Sequence, residues 1–106
     1  MMHSQERWQK MTLAEQMGNI GSEVSRATSA LGVNEQRFWN SVTRALELFD
    51  LTLIDIRWRK RRLEIARARD VFCDAVLGGK EFSSDLKSLQ PYYDQLAILS
   101  LKQSHA

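Results

Sequence analysis

The chain has one cysteine, one proline, two histidines and five glycines in 106 residues. A single Cys73 excludes an internal disulfide, and no Cys/His cluster has metal-ligand spacing. Its flanks, Val71-Phe72 and Ala75-Val76-Leu77, predict a buried structural thiol, since reactive cysteines sit in polar, electropositive surroundings. His3 and His105 lie near the two ends, so no ordered element offers an imidazole base for a nucleophile. The sequence has no Gly-rich phosphate loop, no paired Glu-x-x-His and no GxSxG elbow. No catalytic residue, metal ligand or cofactor is expected.

Long apolar runs are absent too. None approaches the roughly 20 residues that span a bilayer. The opening MMHSQERWQKM has no apolar core or cleavage site of a signal peptide, so the reading is cytoplasmic. The hydrophobic fraction of 43% and charged fraction of 26% suit one globular domain over residues 1–106. Residues 1–11 and 103–106 are expected to fray, although Trp8 has the means to fold back onto a core.

What is present is helical periodicity. Thr12 and Glu15 form a capping box ahead of a stripe of Leu13, Met17, Ile20, Val24, Ala27 and Leu31, spaced four and three apart. Beside it runs a small-residue stripe, Gly18, Ser22, Ser25 and Ser29, which predicts close approach of a neighbouring helix. Gly32 stops this helix and Asn34 caps the next. Phe38, Val42, Ala45, Phe49, Thr52 and Ile56 then mark a second inner face. Trp39, Leu46, Leu48, Leu51, Leu53 and Ile54 widen its apolar surface. A helix so broadly apolar should be central, and its surplus predicts a homodimer.

Residues 55–63 contain no Gly, Pro or Asn, and the apolar phase runs through Ile56, Arg59, Leu63, Ala66, Asp70, Cys73 and Leu77. Two readings follow: a hairpin turning near residues 56–60, or one helix of about 43 residues, roughly 65 Å long. The loss of apolar residues other than Trp58 across the basic block favours the hairpin. Gly78-Gly79 ends the third helix, and Ser84 or Ser88 caps a fourth that accommodates Pro91 early. The expectation is an all-α, four-helix up-and-down bundle with helices near 13–31, 35–56, 60–77 and 85–102.

Net charge is only +2, but seven of the fifteen Lys and Arg fall within residues 57–69, against Glu64 alone. Arg57, Trp58, Arg59, Lys60, Arg61 and Arg62 therefore form the candidate surface for a protein partner or, alternatively, for nucleic acid. Arg44, Asp50, Arg67, Asp70 and Asp74 form a candidate buried polar network, because buried carboxylates must be paired. A third reading uses Asp50, Asp70 and Asp74 in a metal- or nucleotide-dependent enzyme.

Three stretches, Ala14-Glu15-Gln16-Met17-Gly18-Asn19-Ile20-Gly21-Ser22-Glu23-Val24-Ser25-Arg26-Ala27, Arg44-Ala45-Leu46-Glu47-Leu48-Phe49-Asp50-Leu51-Thr52 and Arg67-Ala68-Arg69-Asp70-Val71-Phe72-Cys73-Asp74, carry a likeness. Together they resemble a family of small bacterial and archaeal helical proteins, over most of residues 13–99. The resemblance implies an all-helical fold and transfers no activity. A looser likeness, of fold alone, is to HEPN-type bundles, whose nuclease form places a histidine shortly after an arginine. No such pair stands here, so that likeness implies a non-catalytic bundle. Of these readings, a non-enzymatic interaction and oligomerisation module accounts for the most features.

Overall fold

The computed structural model describes residues 5–78 together with Leu86, Leu89 and Pro91. It is an all-α helical bundle, with no strand among the described residues. Helix α1 is a single turn, Gln5–Trp8, followed by α2 (Leu13–Ala30) and α3 (Glu35–Leu53). A 3-10 segment, Ile56–Arg61, leads into α4 (Arg62–Val76). No helix among the described residues is long and apolar enough to cross a membrane.

Local chemistry sets the first two boundaries. The Thr12 hydroxyl accepts from the Glu15 N–H at 3.1 Å, and the Glu15 carboxylate accepts from the Thr12 N–H at 3.0 Å. These bonds satisfy two otherwise orphaned donors at the start of α2. That contact, led by the Thr12 backbone N–H, holds the exposed Glu15 carboxyl below its ordinary value. Gly32 ends the turn after α2 at φ +75°, a left-handed conformation that favours glycine. The Asn34 side chain then accepts from the Arg37 N–H at 3.0 Å and starts α3.

Leu13, Met17, Ile20, Val24 and Ala27 are buried as their spacing predicts. Leu31 is not: it caps α2 from outside, and Ala30 closes the stripe instead. On α3, Phe38, Val42, Ala45, Phe49 and Thr52 face inward together with Leu48. The Phe49 and Phe72 rings meet 6.1 Å apart, tying α3 to α4. Leu86 and Leu89 complete the described core. The fourth helix expected near 85–102, its Ser84 or Ser88 cap and the tail 103–106 otherwise lie outside the described residues.

The small-residue stripe is a correction. Gly18, Ser22, Ser25 and Ser29 are all exposed, and a Cβ placed on Gly18 would meet open space. No described helix crosses tightly at Gly18.

The hairpin is the larger finding. Helix α3 ends at Leu53, and the chain turns through Asp55 instead of continuing to Ile56. Asp55 adopts an extended conformation, and its carboxylate accepts from the Arg57 N–H at 3.1 Å. An aspartate bonding its own backbone two residues on is turn chemistry, needing neither Gly nor Pro. The arginine run then coils as a 3-10 helix, kinked at Trp58 (φ −104°, ψ 19°).

That segment also corrects the predicted phase of α4. The extended Asp55 and the non-helical Trp58 interrupt the helical path, so the period of α3 does not carry into α4. Ile65, Ala68 and Phe72 point inward instead. Leu63, Asp70 and Leu77, expected inside, face outward, and Ile56 is exposed with them.

Candidate functional site

Two neighbourhoods on the α3–α4 corner carry the chemistry: a buried polar knot beneath the turn, and the outer face of α4.

The knot begins with Trp8. Its indole is fully buried, and the indole N–H donates to the Thr52 hydroxyl at 3.0 Å. Thr52 in turn donates to the Leu48 carbonyl at 2.9 Å. The opening segment is thus docked into the core over Gln5–Trp8, in place of the fraying expected there. Gln16, also fully buried, joins three chain segments. Its amide donates to the Trp8 carbonyl at 2.8 Å and to Asp55 Oδ2 at 3.2 Å, while its oxygen accepts from the Trp58 indole at 2.9 Å. Buried polar groups so paired avoid the cost of lost solvation and specify one arrangement.

Arg57 closes the knot from outside. Its guanidinium grips Asp55 at 2.7 and 3.0 Å and donates to the Met11 carbonyl at 2.8 Å. It also lies 4.5 Å above the Trp58 ring, a cation–π distance. Burial pushes the Asp55 carboxyl up, but hydrogen bonds from Arg57 and Gln16 and the guanidinium charge outweigh it. They hold the carboxyl below its ordinary value. Hydrogen bonding to Asp55 raises Arg57 correspondingly.

This geometry divides the basic block. Arg57 and Trp58 are held by the knot, so Trp58 is not presented for stacking on a base. Arg61 pairs with Glu64 at 3.0 Å, and Arg62 donates to the Leu53 carbonyl at 3.0 Å, covering the end of α3. Arg59 and Lys60 alone in the block are exposed without a bond to another described residue. Arg57, Trp58 and Arg62 bond to the turn or its surroundings, and Arg61 is held by Glu64.

The predicted buried network does not assemble. Arg44 stands 3.8 Å from Glu23 of α2. Asp50 pairs with Arg69 at 3.1 Å on the surface. Arg67 and Asp70 are exposed, and Asp74 alone of the three α4 members is buried. The break between α3 and α4 at Asp55 and Trp58 separates them. Asp50, Asp70 and Asp74 do not converge either, and no group of three or more potential ligands is placed to hold a metal among the described residues. Cys73, expected to be buried, is partly exposed, with the Arg69 guanidinium 3.9 Å from its sulfur.

The outer face of α4 repays closer reading. Leu63, Ala66, Asp70, Cys73 and Leu77 recur at three and four residues, and all are partly or fully exposed. Leu63 is 86% exposed and Leu77 75%. Charge is unevenly spread along the same element. Arg59, Lys60 and Arg62 precede or open it, whereas Arg67 and Arg69 stand with Asp70 further along, and Asp74 is buried.

Sequence reasoning missed Gln16 and the pairing of Trp8 with Thr52. A glutamine between Leu13 and Met17 on a buried face was the available signal, and Asp55 at the end of an apolar helix was the other. Set against known proteins, no family model matches this chain, and neither a curated protein nor a solved structure matches it.

Proposed function

We propose that the chain is a non-catalytic interaction module that pairs with a second copy of itself through the outer face of α4. The observation that carries this reading is the exposed stripe of Leu63, Ala66, Asp70, Cys73 and Leu77. Three-four spacing of this kind is the seam of paired helices, in which one polar position fixes register.

The basic start of α4 selects the orientation. Antiparallel pairing keeps the two basic starts apart, whereas parallel pairing sets them against each other. An antiparallel pair with Leu63 over the Leu77 of a second copy brings both Asp70 carboxylates to the two-fold axis. An Arg67 from each copy then stands beside them. The surplus apolar surface expected on α3 does not carry this proposal, because the inner face of α3 is covered within the protomer.

The knot supports a binding role over catalysis: its buried donors and acceptors bond one another. A partly exposed single thiol accords with a reducing compartment such as the cytoplasm.

Sedimentation equilibrium at micromolar concentration tests the proposal. The expected species has twice the 12.3 kDa protomer mass. Leu63→Lys with Leu77→Lys should return it to protomer mass with the helical circular dichroism unchanged. A protomer-sized wild type, or a dimer indifferent to both lysines, would contradict it.

A further inference from the structure

On the side of the α2–α3 pair away from the knot, an open groove of about 780 Å³ runs between the two helices. Most of its described lining residues carry polar side chains. Arg26, Arg37 and Arg44 supply three guanidiniums, Glu23 and Glu47 two carboxylates, and Ser25, Ser29, Ser41 and Thr43 hydroxyls; Ala30 and Val33 are the apolar exceptions. Ser25 and Ser29 of the α2 stripe form part of this wall.

Two groups in the groove are buried and incompletely bonded. Glu23 is 5% exposed, yet its contacts are ionic and fall on one oxygen: Oε2 lies 3.0 Å from Arg26 and 3.8 Å from Arg44. Oε1 has no hydrogen bond from a described residue. Ser41 is 9% exposed, and its hydroxyl has no partner among the described residues. Serines and threonines elsewhere on α2 and α3, at Ser22, Thr28 and Thr52, bond the carbonyl four residues back. Buried polar atoms are normally satisfied, so two sites facing one concavity with no partner among the described residues point to a ligand that meets them.

The wall dictates that ligand's chemistry. Arg37, exposed and without an ion pair to a described residue, offers a fork suited to a phosphate oxygen pair, and Arg26 and Arg44 add positive field. Glu23 Oε1 accepts only, so the ligand's body must donate there, while Ser41 can donate or accept. We infer that the groove binds a small phosphomonoester whose body carries hydroxyl donors, of the sugar-phosphate type. The phosphate would lie toward Arg37 and a hydroxyl on Glu23. This site is separate from the α4 face and does not depend on pairing.

Amide chemical-shift titration of the full chain with ribose 5-phosphate, inorganic phosphate and ribose tests it. The expected result is saturable shifts within residues 23–47 for the ester, at least tenfold tighter than for either fragment. Arg37→Ala should abolish them. Ser41→Ala should weaken the ester several-fold and leave inorganic phosphate unchanged. No saturable shift with the ester, shifts that survive Arg37→Ala, or equal affinity for inorganic phosphate would overturn the assignment. The last result would mean nonspecific attraction to surface guanidiniums. Both variants alter positions outside the main apolar core, and an unchanged wild-type-like spectrum without ligand establishes that each is folded.

Discussion

The Trp8 indole and the Thr52 hydroxyl meet at 3.0 Å across 44 residues of chain, both wholly buried. This bond fastens the opening helical turn to the end of α3, one turn before the chain reverses. Around it, Gln16 links the same tryptophan to Asp55 and Trp58, so the turn and the opening segment are one polar unit.

Trp8→Ala should therefore destabilise the fold by about 3–5 kcal/mol, the range for truncating a fully buried large aromatic. Thr52→Val keeps the shape but removes the hydroxyl that accepts from the indole N–H, at a cost of about 1–3 kcal/mol. Urea denaturation of both variants and of the double mutant measures the coupling. Additive losses would show that the two residues act separately.

Acid should loosen the turn through Asp55. Its folded carboxyl lies below the ordinary value of 3.8, so the pairing contributes fully above that pH. The contribution is lost progressively as pH falls from there through the lower folded value. Asp55→Asn should be less stable than wild type at pH 7, with the gap narrowing as pH drops below 3.8. An unchanged gap across that window would place the acid response elsewhere.

The basic block should behave as two groups. Arg57→Ala removes two side-chain contacts to Asp55 and one to Met11, and should cost about 1.5–3 kcal/mol. Because its backbone N–H contact to Asp55 survives and the side chain is partly solvated, the lower half of that range is expected. Arg59→Ala with Lys60→Ala should change stability by no more than about 0.5 kcal/mol. Thermal melts of the two variants compare them directly; equal losses would refute the division.

One substitution type should have opposite signs at two glycines. Gly32→Ala forces alanine into a left-handed conformation and should cost about 1 kcal/mol. Gly18→Ala lies within a helix with open space at the new methyl group, and should stabilise by about 0.5–1 kcal/mol. Chemical denaturation midpoints resolve the contrast.

How far these features were legible in the sequence depends on the range of the interactions behind them. The Thr12 box, Gly32 and Asn34 act within a turn or two, and their residue types announce them. The stripes of α2 and α3 follow from one period along one helix. The α4 phase did not, because the break at Asp55 and Trp58 resets it, and arginines with a tryptophan carry no strong sign of that break. The knot joins Trp8, Gln16, Thr52 and Asp55 across three segments, so spacing alone could not assemble it. Asp70 illustrates the result: its register in sequence placed it inside, and its position in the fold places it on the surface beside Arg67.

Self-pairing through α4 is tested most directly by exchanging these two charges between copies. In the antiparallel pair, Arg67 of each copy stands one turn from the Asp70 of the other. Arg67→Asp and Asp70→Arg proteins should each sediment at the protomer mass of 12.3 kDa, and their equimolar mixture at twice that mass. Dimers of either variant alone, or a mixture that stays at protomer mass while the wild type dimerises, would contradict the account.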